Sequence, residues 1–319
     1  MSPNRSFTRI FVVLALAICA PGFAAALDQT QPTPQIVTAR IKLDDLSMII
    51  VPVSINGSGP YDFMLDTGCS KSIVDKRLAD QLGLSRVSGK TVVGMLASAQ
   101  MSVVHADSLS VAGATVGGGD ILSTDHLATI SNMARGVLGE DFLRNFDVLI
   151  DYRHQVIRLE SALGPMAETA VGERLPLQLT ATYHEKLTYN RLVICGHIRE
   201  FGDATLSVLL DSGANRLTLF RDDLGPGENQ AEPIRAGSFN RWVTSSAATR
   251  RIRSLDLGTN SVPDLTVIAL SRRADVDSDG LIPTSFFHSV FISHFGRFVI
   301  LNPSFPKTGR DAPATFAAR

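Results

Sequence analysis

Phe63-Met64-Leu65-Asp66-Thr67-Gly68 stands in the first half of the chain, and Val208-Leu209-Leu210-Asp211-Ser212-Gly213 answers it in the second. Each stretch is three apolar residues, an aspartate, a small hydroxyl residue and a glycine. An aspartate in an isolated turn of this kind most often caps nearby backbone N–H groups. Two copies, each behind an apolar run, ask for another reading. Two carboxylates on symmetry-related turns are suited to activating water for hydrolysis.

A second pair of signals follows at matching distances. Gly136-Val137-Leu138-Gly139-Glu140-Asp141-Phe142-Leu143 lies downstream of Asp66, and Gly280-Leu281-Ile282-Pro283-Thr284-Ser285-Phe286-Phe287 lies downstream of Asp211. Gly139 comes 73 residues after Asp66, and Pro283 comes 72 after Asp211 (139 − 66 and 283 − 211). Each copy closes on an apolar strand, Gln155–Leu159 or Arg297–Leu301. Two separate signals at nearly equal spacing indicate an internal duplication.

At these residues the chain resembles the retropepsin- and pepsin-like aspartic proteases, over roughly Gln35–Leu301. The resemblance implies a mostly-β, bilobal acid-protease fold, two pseudo-two-fold-related β-barrel-like lobes with a central cleft. It assigns Asp66 and Asp211 as the catalytic pair. It makes Thr67 and Ser212 the hydroxyls that bond across to the opposite lobe, and Gly68 and Gly213 the glycines beside the carboxylates. Val137-Leu138-Gly139 becomes the supporting segment of lobe one. Ser70 and Asn215, four residues after each aspartate, are assigned as donors to the outer carboxylate oxygens; Asn can donate as Ser does. Lobe two departs from the pattern at Pro283, which replaces the supporting glycine and lacks a backbone N–H. Cys69 replaces a small residue, which Ala214 keeps.

The chemistry explains the duplication. Water is a poor nucleophile and a peptide carbonyl a poor electrophile, so one carboxylate must take a proton while the other gives one. Two close carboxyls cannot both ionise cheaply and therefore share a proton, which makes the pair an acid and a base at once. Both half-sites lie in one chain, so a monomer with an intramolecular dyad is expected. The expected function is an aspartic endopeptidase acting on polypeptides. The alternative is a non-catalytic peptide- or protein-binding module that retained the fold, motivated by Pro283. A third arrangement pairs lobe one between chains and leaves lobe two structural.

Other chemistries find little support. The seven histidines show no metal-ligand spacing, and no Gly-x-Ser-x-Gly elbow occurs. Asp275–Gly280 resembles the start of a calcium loop but lacks the closing Glu, and reads as a polar turn. No cofactor or metal is expected. No basic patch points to nucleic acid. Lys71 and Arg216 follow the motifs at one common offset and read as solvated.

Arg5 and Arg9, the apolar run Ile10–Ala20 and Ala24-Ala25-Ala26 read as a signal peptide over residues 1–26. Export to the periplasm or the extracellular space is the corresponding expectation, with no membrane span: the run is too short. Without Arg5 and Arg9 the chain is mildly acidic. Cys69 and Cys195 are expected as free, partly buried thiols.

The domain plan is lobe one at 27–162, a linker at 163–174, lobe two at 175–303 and a disordered tail at 304–319. Residues 28–34 read as a loose N-terminus. Within lobe one, Ile49–Ile55 and Tyr61–Leu65 read as strands joined by a hairpin turn at Asn56–Gly59. Ile73–Leu82 reads as a short helix closed by Gly83, and Gly117–Gly119 as a turn. Leu192–Ile194 and Leu206–Leu210 repeat the first strand pair in lobe two. Thr91–Val104 and Phe239–Arg250, the latter with Trp242, are the flap candidates.

Overall fold

The computed structural model describes residues 35–306 apart from 94–97, 128–132, 182–186, 189–190, 203, 223, 225–228, 239–240 and 272–277. The segments read as signal peptide and loose N-terminus, and the tail from 307, lie outside the described residues. The fold is mostly β, in two lobes of one topology joined by a shared sheet.

Lobe one contains β1 (Ile36–Arg40), β2 (Lys42–Leu43), β3 (Ile49–Ile55), β4 (Ser58–Leu65) and β5 (Ile73–Asp75). It continues with α1 (Lys76–Gln81), β6 (Arg86–Val93), β7 (Ser98–Val111), β8 (Ala114–Thr124), β9 (Gly136–Leu138), α2 (Glu140–Leu143), β10 (Asp147–Asp151) and β11 (Val156–Glu160). After α3 (Pro165–Thr169) come β12 (Leu175–Pro176) and the short pair β13 (Thr180–Ala181) and β14 (Leu187–Thr188). Lobe two follows as β15 (Val193–Gly196), β16 (Leu206–Asp211), β17 (Leu217–Phe220), β18 (Gln230–Ser238), β19 (Arg241–Leu257), β20 (Asn260–Leu270), β21 (Gly280–Pro283), β22 (Ser289–Ser293) and β23 (Phe298–Leu301).

The β-branched run of β3 returns through Asn56 and Gly57, both at positive φ, into β4. That is the turn chemistry an Asn-Gly hairpin demands. β4 then runs parallel to β9, with Phe63 opposite Gly136 and Leu65 opposite Leu138. In lobe two β16 runs parallel to β21, with Val208 opposite Gly280 and Asp211 opposite Pro283. The two main sheets share the order β4-β9-β5-β8-β7-β6 and β16-β21-β17-β20-β19-β18. The duplicated sequence signals are thus the parallel strand pairs at the centre of each lobe. Gly136 and Gly280 begin the second strand of each pair. A Cβ on Gly136 would collide with the Phe63 ring and lie 2.6 Å from the Ile73 carbonyl oxygen. Gly136→Ala is therefore expected to lower unfolding free energy by about 1–3 kcal/mol in a denaturant titration; an unchanged midpoint would refute that packing.

A third sheet, β1-β11-β10-β22-β23-β12, joins the lobes. Its centre is the antiparallel pair β10–β22, with Leu149 opposite Phe291. The closing apolar strands of the two repeats, β11 and β23, flank that pair. The order is the same read from either end after exchange of lobes, which places the pseudo-two-fold between β10 and β22.

Several local expectations change. Ile73–Asp75 is a strand, because β8 and β9 claim both of its edges; only Lys76–Gln81 is helical, with Asp75 capping the Leu78 N–H at 3.2 Å. Gly117–Gly119 lies within β8, paired antiparallel to β7, and is not a turn. The expected linker is not loose: it contains α3, whose Met166 and Ala167 pack with Leu149, Phe291 and Ile300 under the shared sheet. Nor does disorder begin at 304, since Ser304 exchanges two backbone hydrogen bonds with Val171 and Phe305 packs on the same cluster. The flap candidates fall on equivalent hairpins, β6–β7 and β18–β19; the Trp242 side chain lies outside what is described. No helix among the described residues is long and apolar enough to cross a membrane.

Candidate active site

The two Asp-Thr/Ser-Gly turns meet between the lobes. The Thr67 N–H donates to Ser212 Oγ at 3.0 Å, and the Ser212 N–H donates to Thr67 Oγ1 at 3.0 Å. Thr67 Oγ1 in turn donates to the Leu210 carbonyl at 2.9 Å, and Ser212 Oγ to the Leu65 carbonyl at 2.8 Å. Both hydroxyls are buried. Each closes a reciprocal pair of bonds with the opposite lobe, so the turns are locked in one relative position.

That lock brings each glycine against the other lobe's aspartate. A Cβ on Gly68 would lie 2.5 Å from Asp211 Cγ, and one on Gly213 would lie 2.5 Å from Asp66 Cγ. Only hydrogen fits there. The Gly68 N–H donates to Asp66 Oδ1 at 2.9 Å, and the Gly213 N–H to Asp211 Oδ1 at 2.7 Å. The two carboxyls lie close enough for each to shift the other's proton affinity.

Burial pushes both carboxyls above the ordinary carboxylate range, Asp66 well above it. For Asp66 the Asp211 charge and the bond to its side chain add to the rise. For Asp211 the Gly213 N–H, the bond to Asp66 and the Arg191 charge pull the other way. The pair therefore keeps a shared proton to higher pH than an isolated carboxyl would hold one, and its titration belongs to the pair.

The chain has the fold of the bilobal aspartic proteases. An aspartic proteinase from Irpex lacteus aligns over 86% of this chain and 99% of its own, at 11% identity and a TM-score of 0.51. Residues 51–142, which carry Asp66 and Gly139, match the aspartyl protease family model. A retropepsin-like aspartic protease from Rickettsia conorii aligns over 40% of this chain and 93% of its own, at 17% identity and a TM-score of 0.31. No curated protein matches the sequence.

Within this aspartic-protease fold, six of the eight expected site residues come together: Asp66, Thr67, Gly68, Asp211, Ser212 and Gly213. Ser70 and Asn215 do not. Both are exposed, and neither hydrogen-bonds the Asp66 or Asp211 carboxyl. The serine that supports lobe one is Ser72. Its Oγ accepts the Gly139 N–H at 3.0 Å and donates to Asp141 Oδ1 at 2.6 Å, while Asp141 Oδ1 also accepts the Ser72 N–H at 2.8 Å. The Glu140 N–H donates to the Cys69 carbonyl at 2.8 Å and ties the segment to the Asp66 turn. Nothing in the repeat marks Ser72, because lobe two has the apolar Leu217 at that register position.

That exchange explains Pro283. In lobe one an N–H at Gly139 meets a hydroxyl at Ser72; in lobe two a proline without N–H stands at the one position and buried Leu217 at the other. Donor and acceptor disappeared together, so no orphan remains. Ser72→Ala is expected to destabilise by about 1–3 kcal/mol in chemical denaturation, since it strands the buried Gly139 N–H. A loss below about 0.5 kcal/mol would count against the support role.

Of the cations, Lys71 is engaged elsewhere: Nζ donates to the Asp120 carbonyl at 3.2 Å and lies 3.8 Å from Asp141 Oδ2. The charge of Arg191, which no motif marks, lowers the proton affinity of Asp211. Both cysteines are free, but Cys195 is exposed, not partly buried. Asp279, at the end of the supposed calcium loop, accepts the Ser207 N–H at 2.9 Å and braces β16.

Proposed function

We propose that the protein is an aspartic endopeptidase that hydrolyses peptide bonds with water activated by Asp66 and Asp211. The observation that carries this reading is the reciprocal packing of Gly68 on Asp211 and Gly213 on Asp66, which sets the two aspartate turns against each other. A water between them would lose a proton to the ionised carboxylate as it attacks. The protonated partner would give its proton to the carbonyl oxygen, and the roles reverse when the tetrahedral species collapses onto the leaving nitrogen. The substrate is a polypeptide laid between the lobes. Because one chain supplies both aspartates, a monomer suffices.

The test is digestion of a denatured protein mixture across a pH series, with new peptide termini read by mass spectrometry and Asp66→Asn as control. Termini that depend on Asp66 support the proposal. Their absence at every pH, with the protein shown to be folded, would favour a peptide-binding module. Export rests on residues 1–26 and is checked by sequencing the N-terminus of the mature protein; a retained residue 1 would refute cleavage.

A further inference from the structure

We infer that His294 and Tyr152 are paired positioning residues, each crossing the lobe interface to hold the segment behind the opposite lobe's aspartate turn, and that the His294 arm holds only while its imidazole is protonated. Tyr152 directly follows β10 and His294 directly follows β22, the two strands that flank the pseudo-two-fold. The Tyr152 hydroxyl lies 2.6 Å from Thr284 Oγ1, and Thr284 follows Pro283. His294 Nε2 lies 3.0 Å from Glu140 Oε2, and Glu140 follows Gly139. The two bonds are symmetry equivalents, one neutral and one ionic. The ionic arm reaches the catalytic turn directly, because the Glu140 N–H holds the Cys69 carbonyl.

The pH dependence follows from the acceptors. His294 Nδ1 lies 2.6 Å from the Phe146 carbonyl oxygen, which can only accept, and Nε2 faces the Glu140 carboxylate. A neutral imidazole has one N–H, so only the imidazolium donates to both the carbonyl and the carboxylate. The pair is buried, with side chains 7% and 5% exposed. Among the described residues Glu140 Oε1 has no hydrogen-bond partner, so the imidazolium is the group there that compensates this carboxylate. Asp147, at the start of β10, is the other charged group facing His294; it accepts from Ser293 Oγ at 2.9 Å and the Phe295 N–H at 3.1 Å. Burial lowers the imidazole's proton affinity. The Glu140 charge and bond, the Phe146 carbonyl and Asp147 outweigh it, and the net direction is up. A basic group raised on folding stabilises fully below its unfolded value, roughly 6.5, and loses that contribution as pH rises through the folded value.

The test is thermal unfolding from pH 4 to 9 of the full chain, His294→Gln and Tyr152→Phe. Residual peptidase activity is also assayed at pH 5 after incubation at each pH. The raised carboxyls of Asp66, Asp211, Asp147 and Glu160 give all three proteins a decline that begins near pH 4 to 4.5. The unmodified protein is expected to lose further melting temperature above about pH 6.5. His294→Gln should melt roughly 5–10 °C lower at pH 5 but lack that second decline, so the curves converge. Tyr152→Phe should be displaced downward by the same amount at every pH. A His294→Gln curve parallel to the unmodified one from pH 5 to 9 would overturn the inference. If that variant does not fold, Glu140→Gln, which removes the charge that keeps the imidazole protonated, is judged by the same criterion. The activity arm rests on the endopeptidase reading and should show the same pH of loss. The melting arm needs no turnover, so it decides the latch even if the protein cleaves nothing.

Discussion

Asp66→Asn and Asp211→Asn should each reduce peptide hydrolysis by at least about 10²–10⁴-fold while leaving the fold intact. An asparagine Oδ1 can still accept the Gly68 or Gly213 N–H, so the turn keeps its local bond. It can neither take a proton from water nor give one to the carbonyl. The two losses should be of similar size, because either aspartate alone is half of one acid–base pair. Stability should move the other way. Burial raises both carboxyls, so their ionised forms are penalised in the folded protein; the penalty appears as pH rises above the unfolded value near 4. Each Asn variant should melt no lower than the unmodified protein at pH 7. The unmodified protein should show a bell-shaped pH–rate profile. Its acid limb marks the point where both carboxyls are protonated and no base remains, and its alkaline limb the point where both are ionised and no acid remains. Because both carboxyls are raised, the alkaline limb should lie above the range of free carboxylates. Initial-rate measurements and melting curves on the same preparations check all of this; a variant with more than half of the original rate would sink the dyad.

Thr67→Val should be the most damaging near-isosteric change outside the aspartates. It removes the donor to the Leu210 carbonyl and the acceptor of the Ser212 N–H, both buried. Each stranded group is worth about 1–3 kcal/mol, so a loss of about 2–6 kcal/mol is expected in denaturant unfolding. Ser212→Ala mirrors it through the Leu65 carbonyl and the Thr67 N–H. The double variant should lose less than the two singles combined, since lobes already relaxed apart cannot strain the remaining bonds. Thr67→Ser keeps the hydroxyl and should retain most of the stability. A Thr67→Val protein within about 0.5 kcal/mol of the original would mean that the lobes are held together elsewhere.

The core of the site was legible in the chain because its physics is local. A strand too apolar for any surface must be buried, and a turn that follows it can present an aspartate beside a glycine. Repetition at equal spacing then placed the second copy. Ser70 and Asn215 failed for an equally physical reason. The family resemblance assigns them by position after the aspartate, but the turn points both side chains to solvent while Ser72 faces inward. Gly117–Gly119 went the same way: glycine permits a turn, but the partner strand β7 decided for a ladder.

The duplicated motif and its spacing by themselves determined that the chain repeats one plan with an aspartate turn in each half, because burial and turn formation are written in neighbouring residues; the bilobal fold and the pairing of Asp66 with Asp211 came from the family resemblance those motifs carry. Only the tertiary structure decided which serine braces Gly139, why Pro283 leaves no unpaired group, that the Arg191 charge acts on Asp211, and that His294 and Tyr152 cross the interface. Those pairs lie far apart in the chain. The Ser72 partner follows from the pairing of β5 with β9, the Pro283 neighbour from that of β17 with β21, and the His294 and Tyr152 partners from the register of β10 on β22, and no local pattern of residues encodes those registers.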